Sequence, residues 1–369
     1  MKYDYVIVGA GLFGATFCRL MTESGKRCLV IEQRNHVGGN TYCKDVEGIT
    51  VHWYGPHIFH TDSKELYDFI SDLVPVHTFI NQPLAKYKNE LYNLPFNMNT
   101  FRQLWGVRTA RQAHLKINSQ CHVLTAPPST VEEKALSTVG RDIYDKLIKG
   151  YTQKQWGKPC SELGASILSR IPLRFTYDNS YYNDRYQFIP DGGYNPLIAK
   201  LLEGATVLTN VSYRQIKDTW RQFGNRLLYT GRLDTMFDYI FGVMEYRSLR
   251  FYHKWLLQDD YQSNAVVNYT SEDVPFTRIV EHKYFEPNKV NYHTVITREF
   301  PNGLAGKSDD GAYYPINSFE NETKHTEYLG LLHHYPDIII GGRLADYRYY
   351  DMDDTMIKAF ELGQQELNR

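Results

Sequence analysis

A chain of 369 residues exceeds what one hydrophobic core usually serves, so two or three domains are expected, and 42% hydrophobic residues suffice to bury them. Forty-one basic against 42 acidic residues leave a formal charge of −1, which provides no field for nucleic acid or an anionic membrane, so any bound anion must be gripped locally. The five cysteines (Cys18, Cys28, Cys43, Cys121, Cys160) are scattered and lack a C-x-x-C pair, which argues against a disulfide framework or a thiolate metal site and for a reducing, cytoplasmic setting.

The chain enters directly on "YDYVIVGAGLFGATFCRLMTESGKRCLVIEQ", an apolar strand, a turn holding Gly9, Gly11 and Gly14, a helix-patterned stretch from about Phe13 to Ser24, and a second strand ending at Glu32. This β-α-β order is the context a dinucleotide site requires. Gly9 permits the tight turn, Gly11 admits the pyrophosphate, Gly14 allows close helix packing, and Glu32 stands where an acid binds a ribose diol. The next residues, "EQRNHVGGN", place an arginine and a Gly38-Gly39-Asn40 loop after the acid, similar to the second signature of FAD-binding proteins of the amine-oxidase type. The segment contains neither a leader-like h-region nor, later, a run of 18 apolar residues.

From about Asn97 to Arg170 the apolar residues recur at three- and four-residue steps, which predicts a helical insert. "PDGGYNPLIAKLLEGATVLTNVSYRQI" then reads as turn, helix and strand, and "NRLLYTGRLDTMFDYIFG" as another strand and helix, both returning to the cofactor-binding sheet. Between about Leu249 and Glu299, "NAVVNYT", "TRIVEHKYF" and "YHTVITREF" alternate as strands of an antiparallel sheet. The last segment, "DIIIGGRLADYRYYDMDDTMIKAFELGQQEL", is strand, glycine turn, loop and amphipathic helix with Asp353 and Asp354 in its first turn, and Arg343 is set to reach a diphosphate. The expected architecture is α/β: a FAD-binding Rossmann-type domain (1–78, 188–235 and 312–369), a helical-bundle insert (97–170), and an antiparallel sheet or substrate domain (79–96, 171–187 and 236–311).

Thirty tyrosines are more than a core requires, and they keep company with arginines: Arg170, Arg174, Tyr177, Tyr181 and Tyr182; Arg278; Tyr313 and Tyr314; Arg343, Tyr347, Arg348 and Tyr349. Guanidinium forks and phenol hydroxyls suit a diphosphate, with charge-assisted bonds of about 1.5–3 kcal/mol each. No H-E-x-x-H, G-x-S-x-G or P-loop lysine occurs, so metal hydrolysis and serine chemistry lack support and no metal is expected.

"YGPHIFHTD", "YTQKQWG", "LRFTYD", "VPFTRIVEHKYF", "YYPI" and "GRLADYRYYDMD" together resemble the bacterial UDP-galactopyranose mutases over nearly the whole chain. That resemblance implies a six-stranded antiparallel sheet beside the Rossmann domain and helical bundle, and interconversion of UDP-galactopyranose and UDP-galactofuranose for cell-surface polysaccharide. It implies FAD as cofactor, active when reduced, with flavin N5 as nucleophile at the anomeric carbon. Arg170 and Arg278 would hold the substrate diphosphate, with Tyr181, Tyr314 and Tyr349 assisting. Tyr151 and Trp156 would lie along the nucleotide, Asn81, Asn268 and Glu299 would complete the substrate pocket, His60 would sit beside the flavin, and Asp351 near the sugar. Gly9, Gly11, Phe13, Gly14, Glu32, Gly39, Asn40, His57, Arg343 and Met352 would hold FAD. Partners would be UDP-galactose and an unidentified reductant, with a homodimer allowed. Ala345, Asp346, Tyr350 and Tyr182 depart from the family pattern near the sugar pocket, which leaves N-acetylated UDP-galactose open as a substrate. The rival is an oxidoreductase of the amine-oxidase type, which shares the N-terminal motifs but has no use for the arginine and tyrosine clusters.

Overall fold

The computed structural model describes residues 2–168, 173–306 and 311–369. The chain folds into two compact units: one made of 1–78, 184–249 and 304–369, the other of 79–183 and 250–303.

The first unit is built on a five-stranded parallel sheet. Its central strand, β1 (Tyr3–Val8), lies between β2 (Cys28–Glu32) and the strand Gly224–Tyr229; Thr206–Thr209 and Ile338–Ile340 occupy the edges. Parallel strands covered on both faces read as continuous apolar runs, and "VIV" and "CLVI" do so because Val6, Ile7, Val30 and Ile31 are all at most 2% exposed. Alternate side chains feed two cores. Ile7 and Val30 pack with helix α1 (Leu12–Glu23), the helix Asn195–Leu201 and the C-terminal helix Met352–Leu367, whereas Val6 and Ile31 pack with Trp220, Tyr246 and Tyr328. Full burial of an aromatic such as Phe17 contributes roughly 2–3 kcal/mol. A small sheet of Phe59–Thr61, Tyr186–Pro190 and Val76–Thr78 completes this unit.

The second unit joins helices to a sheet. The expected helical insert consists of Met98–Trp105, Ala110–Asn118 and Val131–Thr138, followed by a continuous run in which a π-helical stretch, Tyr144–Lys149, leads into Gly150–Trp156. Three of these starts carry reciprocal capping boxes, on Asn97, Thr109 and Thr130. The sheet order within this unit is Tyr246–Leu256 (from Arg250 onward), Thr294–Leu304, Arg278–Glu281, Val266–Tyr269, Leu84–Tyr87 and Glu90–Asn93. The sheet is not wholly antiparallel, which corrects the expectation: Val266–Tyr269 and Leu84–Tyr87 run parallel. The Leu84–Asn93 hairpin arrives from a distant part of the chain, so no tight turn dictates its direction.

Candidate functional site

In the first unit a cavity of about 230 Å³ opens at the carboxyl ends of the parallel strands, lined by Val8, Ile31, Glu32 and Tyr229 together with Gly9, Gly11, Arg34 and Arg343. This is where open α/β sheets bind ligands. Gly9 has φ +102°, a region that L side chains avoid, and a Cβ there would fall 2.2 Å from Thr230 Oγ1. Gly14 is required by proximity alone: its Cβ would lie 2.1 Å from the Gly9 carbonyl oxygen. Helix α1 starts at Gly11 without a side-chain cap, so its first amides remain available to an anion. The Gly38–Asn40 loop is drawn over this turn by the Gly38 amide, which donates to the Ala10 carbonyl at 2.8 Å.

Glu32 is 6% exposed, and its carboxylate accepts the amides of Ala10 and Arg34, each at 2.9 Å. It is therefore fixed in aim while each oxygen keeps a lone pair for a diol. Arg34 is the arginine of the "EQRNHVGGN" signature, set between the acid and the glycine loop. Its guanidinium lies 4.4 Å over the Tyr54 ring and donates Nη2 to Asn40 Oδ1 at 3.2 Å, while Nη1 is buried with no hydrogen-bond partner. Arg34 lines the cavity, and a buried donor left without a protein acceptor there is suited to a ligand's acceptor. The cradle thus fits a dinucleotide's diol and diphosphate. Phe13, Gly39, His57 and Met352 also line the cavity. The His57 amide donates to His52 Nδ1 at 3.1 Å, and burial, reinforced by the neighbouring His57, pushes the pKa of His52 down to about 3.

The loop before the C-terminal helix places Arg343 against two aromatics, its guanidinium 4.9 Å from the Tyr349 ring centroid and 5.6 Å from that of Tyr314. These rings are 5.7 Å apart, and Tyr349 is 52% exposed. Asp351 caps the helix from outside its first turn without a side-chain cap bond, and its carbonyl accepts the Thr355 hydroxyl at 2.8 Å. His60 is not among the residues lining the cavity, and its Nδ1 lies 3.0 Å from Asp184 Oδ2. Asp353, in the same helix turn, has its pKa raised by burial, and His60 acts against that rise.

In the second unit, three expected residues form one row across three strands. Asn268 is registered opposite Arg278, and Arg278 opposite Glu299. Directly opposed residues share a face of the sheet, so the amide, guanidinium and carboxylate point the same way. Asn268 Oδ1 is buried and has no hydrogen-bond partner, again an acceptor without its donor. Tyr151 and Trp156 occupy the helix Gly150–Trp156, which is tied to the same strands by a residue the sequence did not advertise: Lys154 donates Nζ to the carbonyls of Tyr269, Ser271 and Phe276 at 2.7, 2.9 and 3.0 Å. Asn81 is 6% exposed, and its carbonyl accepts the Tyr181 amide at 2.8 Å. Arg174, one of the arginines marked for a diphosphate, is committed elsewhere: its guanidinium binds Asp178 at 3.1 Å and the Tyr182 carbonyl at 3.3 Å, and also bonds the Ser180 carbonyl and Asn183, so it organises that loop. Arg170 lies outside the described residues.

A family model described as UDP-galactopyranose mutase matches residues 146–349, and one described as an NAD(P)-binding Rossmann-like domain matches residues 7–73. The chain is 36% identical to a probable UDP-galactopyranose mutase of Klebsiella pneumoniae over 99% of its own length and 95% of that protein's. It is also 36% identical to a dTDP-fucopyranose mutase of Escherichia coli, over 97% of each chain. A crystal structure of reduced UDP-galactopyranose mutase superposes over 100% of this chain and 94% of that one with a TM-score of 0.76 at 15% identity, a likeness of fold.

Proposed function

The chain belongs to the UDP-galactopyranose mutase family, and on that premise we propose that it interconverts UDP-galactopyranose and UDP-galactofuranose with FAD as cofactor. The observation that carries this reading is one chain holding both a dinucleotide cradle with a buried, unpartnered Arg34 Nη1 and a separate arginine row at Asn268, Arg278 and Glu299. Cradle and row answer to two different phosphate-bearing ligands, whereas an oxidase acting on an amine needs only the first.

Bound, reduced FAD supplies a nucleophile for the anomeric carbon and regains its starting state in each turnover. The chain's part is to bind and orient. Glu32 accepts the ribose diol of FAD, the first amides of α1 and Arg343 hold the cofactor diphosphate, and Gly39, Asn40, His57 and Met352 shape the rest of its cavity. Arg278, with Arg170, stabilises the negative charge that develops on the departing substrate diphosphate, where one preorganised donor is worth roughly 2.7–4 kcal/mol. Glu299 fixes the direction of Arg278 at 3.1 Å. Tyr181, Tyr314 and Tyr349 add hydroxyls to the diphosphate, Tyr151 and Trp156 flank the uridine, Asn81 and Asn268 line the pocket, and His60 and Asp351 lie toward flavin and sugar. The five free cysteines support a reducing compartment, hence the cytoplasm, and no helix among the described residues is long and apolar enough to cross a membrane. The product would serve as a precursor of a cell-surface polysaccharide.

The equal identity to the dTDP-fucopyranose mutase favours a second reading, the same ring interconversion on dTDP-fucose. One experiment addresses both: dithionite-reduced protein is incubated anaerobically with UDP-galactofuranose or with the furanose of dTDP-fucose, and the products are separated by chromatography. Conversion of the first alone supports the first reading, and of the second alone the second. Conversion of neither overturns both.

A further inference from the structure

Between Gly342 and Tyr350 the main chain closes a loop around one carboxylate. Asp346 Oδ2 accepts the Gly342 amide at 3.1 Å and the Tyr350 hydroxyl at 3.1 Å, and the Asp346 amide returns to the Gly342 carbonyl at 2.9 Å. Gly342 is at φ +90° and Tyr347 at φ +51°, so the loop includes two left-handed turns, one of them at a non-glycine residue that tertiary bonds must hold. Within this loop, Arg343 donates Nη2 to the carbonyl of Tyr350. The residue that binds Asp346 through its side chain therefore binds Arg343 through its backbone.

Asp346 itself does not line the cofactor cavity. It faces a separate small cavity with Phe13, Lys358 and Glu361, whereas Arg343 lines the larger one. We infer that Asp346 and Tyr350 are positioning residues for Arg343, holding its guanidinium aimed into the cavity and so setting how tightly the cofactor diphosphate is held. The inference rests on reading that cavity as the FAD site. A free arginine must give up rotamer freedom each time it engages a phosphate; one held at its Tyr350 bond and packed against the rings of Tyr314 and Tyr349 has already lost it.

The test is the affinity of apoprotein for FAD, read by flavin fluorescence, in a double-mutant cycle with Arg343→Ala. Tyr350→Phe keeps the ring and the carbonyl but loses the hydroxyl, and should weaken binding about three- to tenfold. Asp346→Leu should cost about tenfold or more, while Asp346→Asn, which keeps an accepting oxygen, should stay within about twofold. In the Arg343→Ala background neither Tyr350→Phe nor Asp346→Leu should weaken binding further. Unchanged affinity in Tyr350→Phe overturns the clamp, as does a loss of undiminished size once Arg343 is gone, which would show a general effect on the fold. If Asp346→Leu does not fold, the cycle with Tyr350→Phe decides. Unaltered protein that fails to bind FAD overturns the cofactor reading and the clamp together; FAD binding without coupling overturns the clamp alone.

Discussion

Arg278 Nε lies 3.1 Å from Glu299 Oε2, and the two differ in burial: the carboxylate's side chain is 2% exposed, the arginine's 23%. The buried carboxylate acts as the anchor of this ion pair, and the more exposed guanidinium is the member that a substrate can reach. Arg278→Ala should lower turnover about a hundredfold or more, because the loss falls on the charged transition state. The variant should stay yellow, since Arg278 is not among the residues lining the cofactor cavity. It should also melt earlier, by an amount corresponding to about 3 kcal/mol, because Glu299 is left buried without its counter-charge. Near-normal turnover would mean that the substrate diphosphate lies elsewhere.

Cofactor retention should follow the cradle's geometry. Glu32→Ala and Arg343→Ala each remove a charge-assisted contact and should weaken FAD binding about tenfold or more, measured by titrating apoprotein. Gly14→Ala is a steric counterpart: its methyl would meet the Gly9 carbonyl oxygen at 2.1 Å, so the variant should purify colourless or unfolded. A Gly14→Ala protein that retains its flavin would show that the turn can open at no cost.

Turnover should require reduced flavin yet consume no reductant. Enzyme treated once with dithionite and kept anaerobic should convert many equivalents of substrate, and a hydride trap added with substrate should capture the sugar on the cofactor. Product limited to the electrons supplied would return the reading to an oxidoreductase.

Acid should destabilise the fold through His52. Its pKa is near 3 in the folded chain against an ordinary value of about 6.5, so between these values the unfolded chain binds a proton that the folded chain refuses. Stability should therefore be full above about pH 6.5 and fall with decreasing pH, by on the order of 1.4 kcal/mol per pH unit from this group. His52→Asn, which can still accept the His57 amide, should flatten that part of a denaturation profile measured from pH 7 to pH 4. An unchanged slope would exonerate His52.

What was legible from the sequence was local. Gly9, Gly14 and Glu32 announce their roles because a turn, a helix packing distance and a strand end are all fixed within about thirty residues, and the strand and helix around Arg343 follow the same logic. Three features were illegible because they are set by how the folded chain closes around a residue, which no local pattern states. The parallel pairing of Asn268 with Ala85 depends on where the Leu84–Asn93 hairpin docks. The commitment of Arg174 to its own loop is settled only when residues 178–183 fold around it. Arg34 belongs to a legible signature, but which of its donors is left for a ligand is settled only when Tyr54 and Asn40 close upon it.

The chain passes between the two units at 78/79, 183/184, 249/250 and 303/304, and β1 finds one of its two neighbours only at Gly224–Tyr229. During synthesis at roughly 5–20 residues per second, the apolar strand β1, once made, waits about 10–40 s for that partner. The strand Ile338–Ile340 and the helix Met352–Leu367, which supply an edge and a cover to the same sheet, come later still. The parts of the cofactor cradle are therefore made far apart in time. While the ribosome is still working, β1 is an unpaired, sticky edge with a claim on chaperones, and a supply of flavin at the moment of release would act on folding yield before it acted on catalysis.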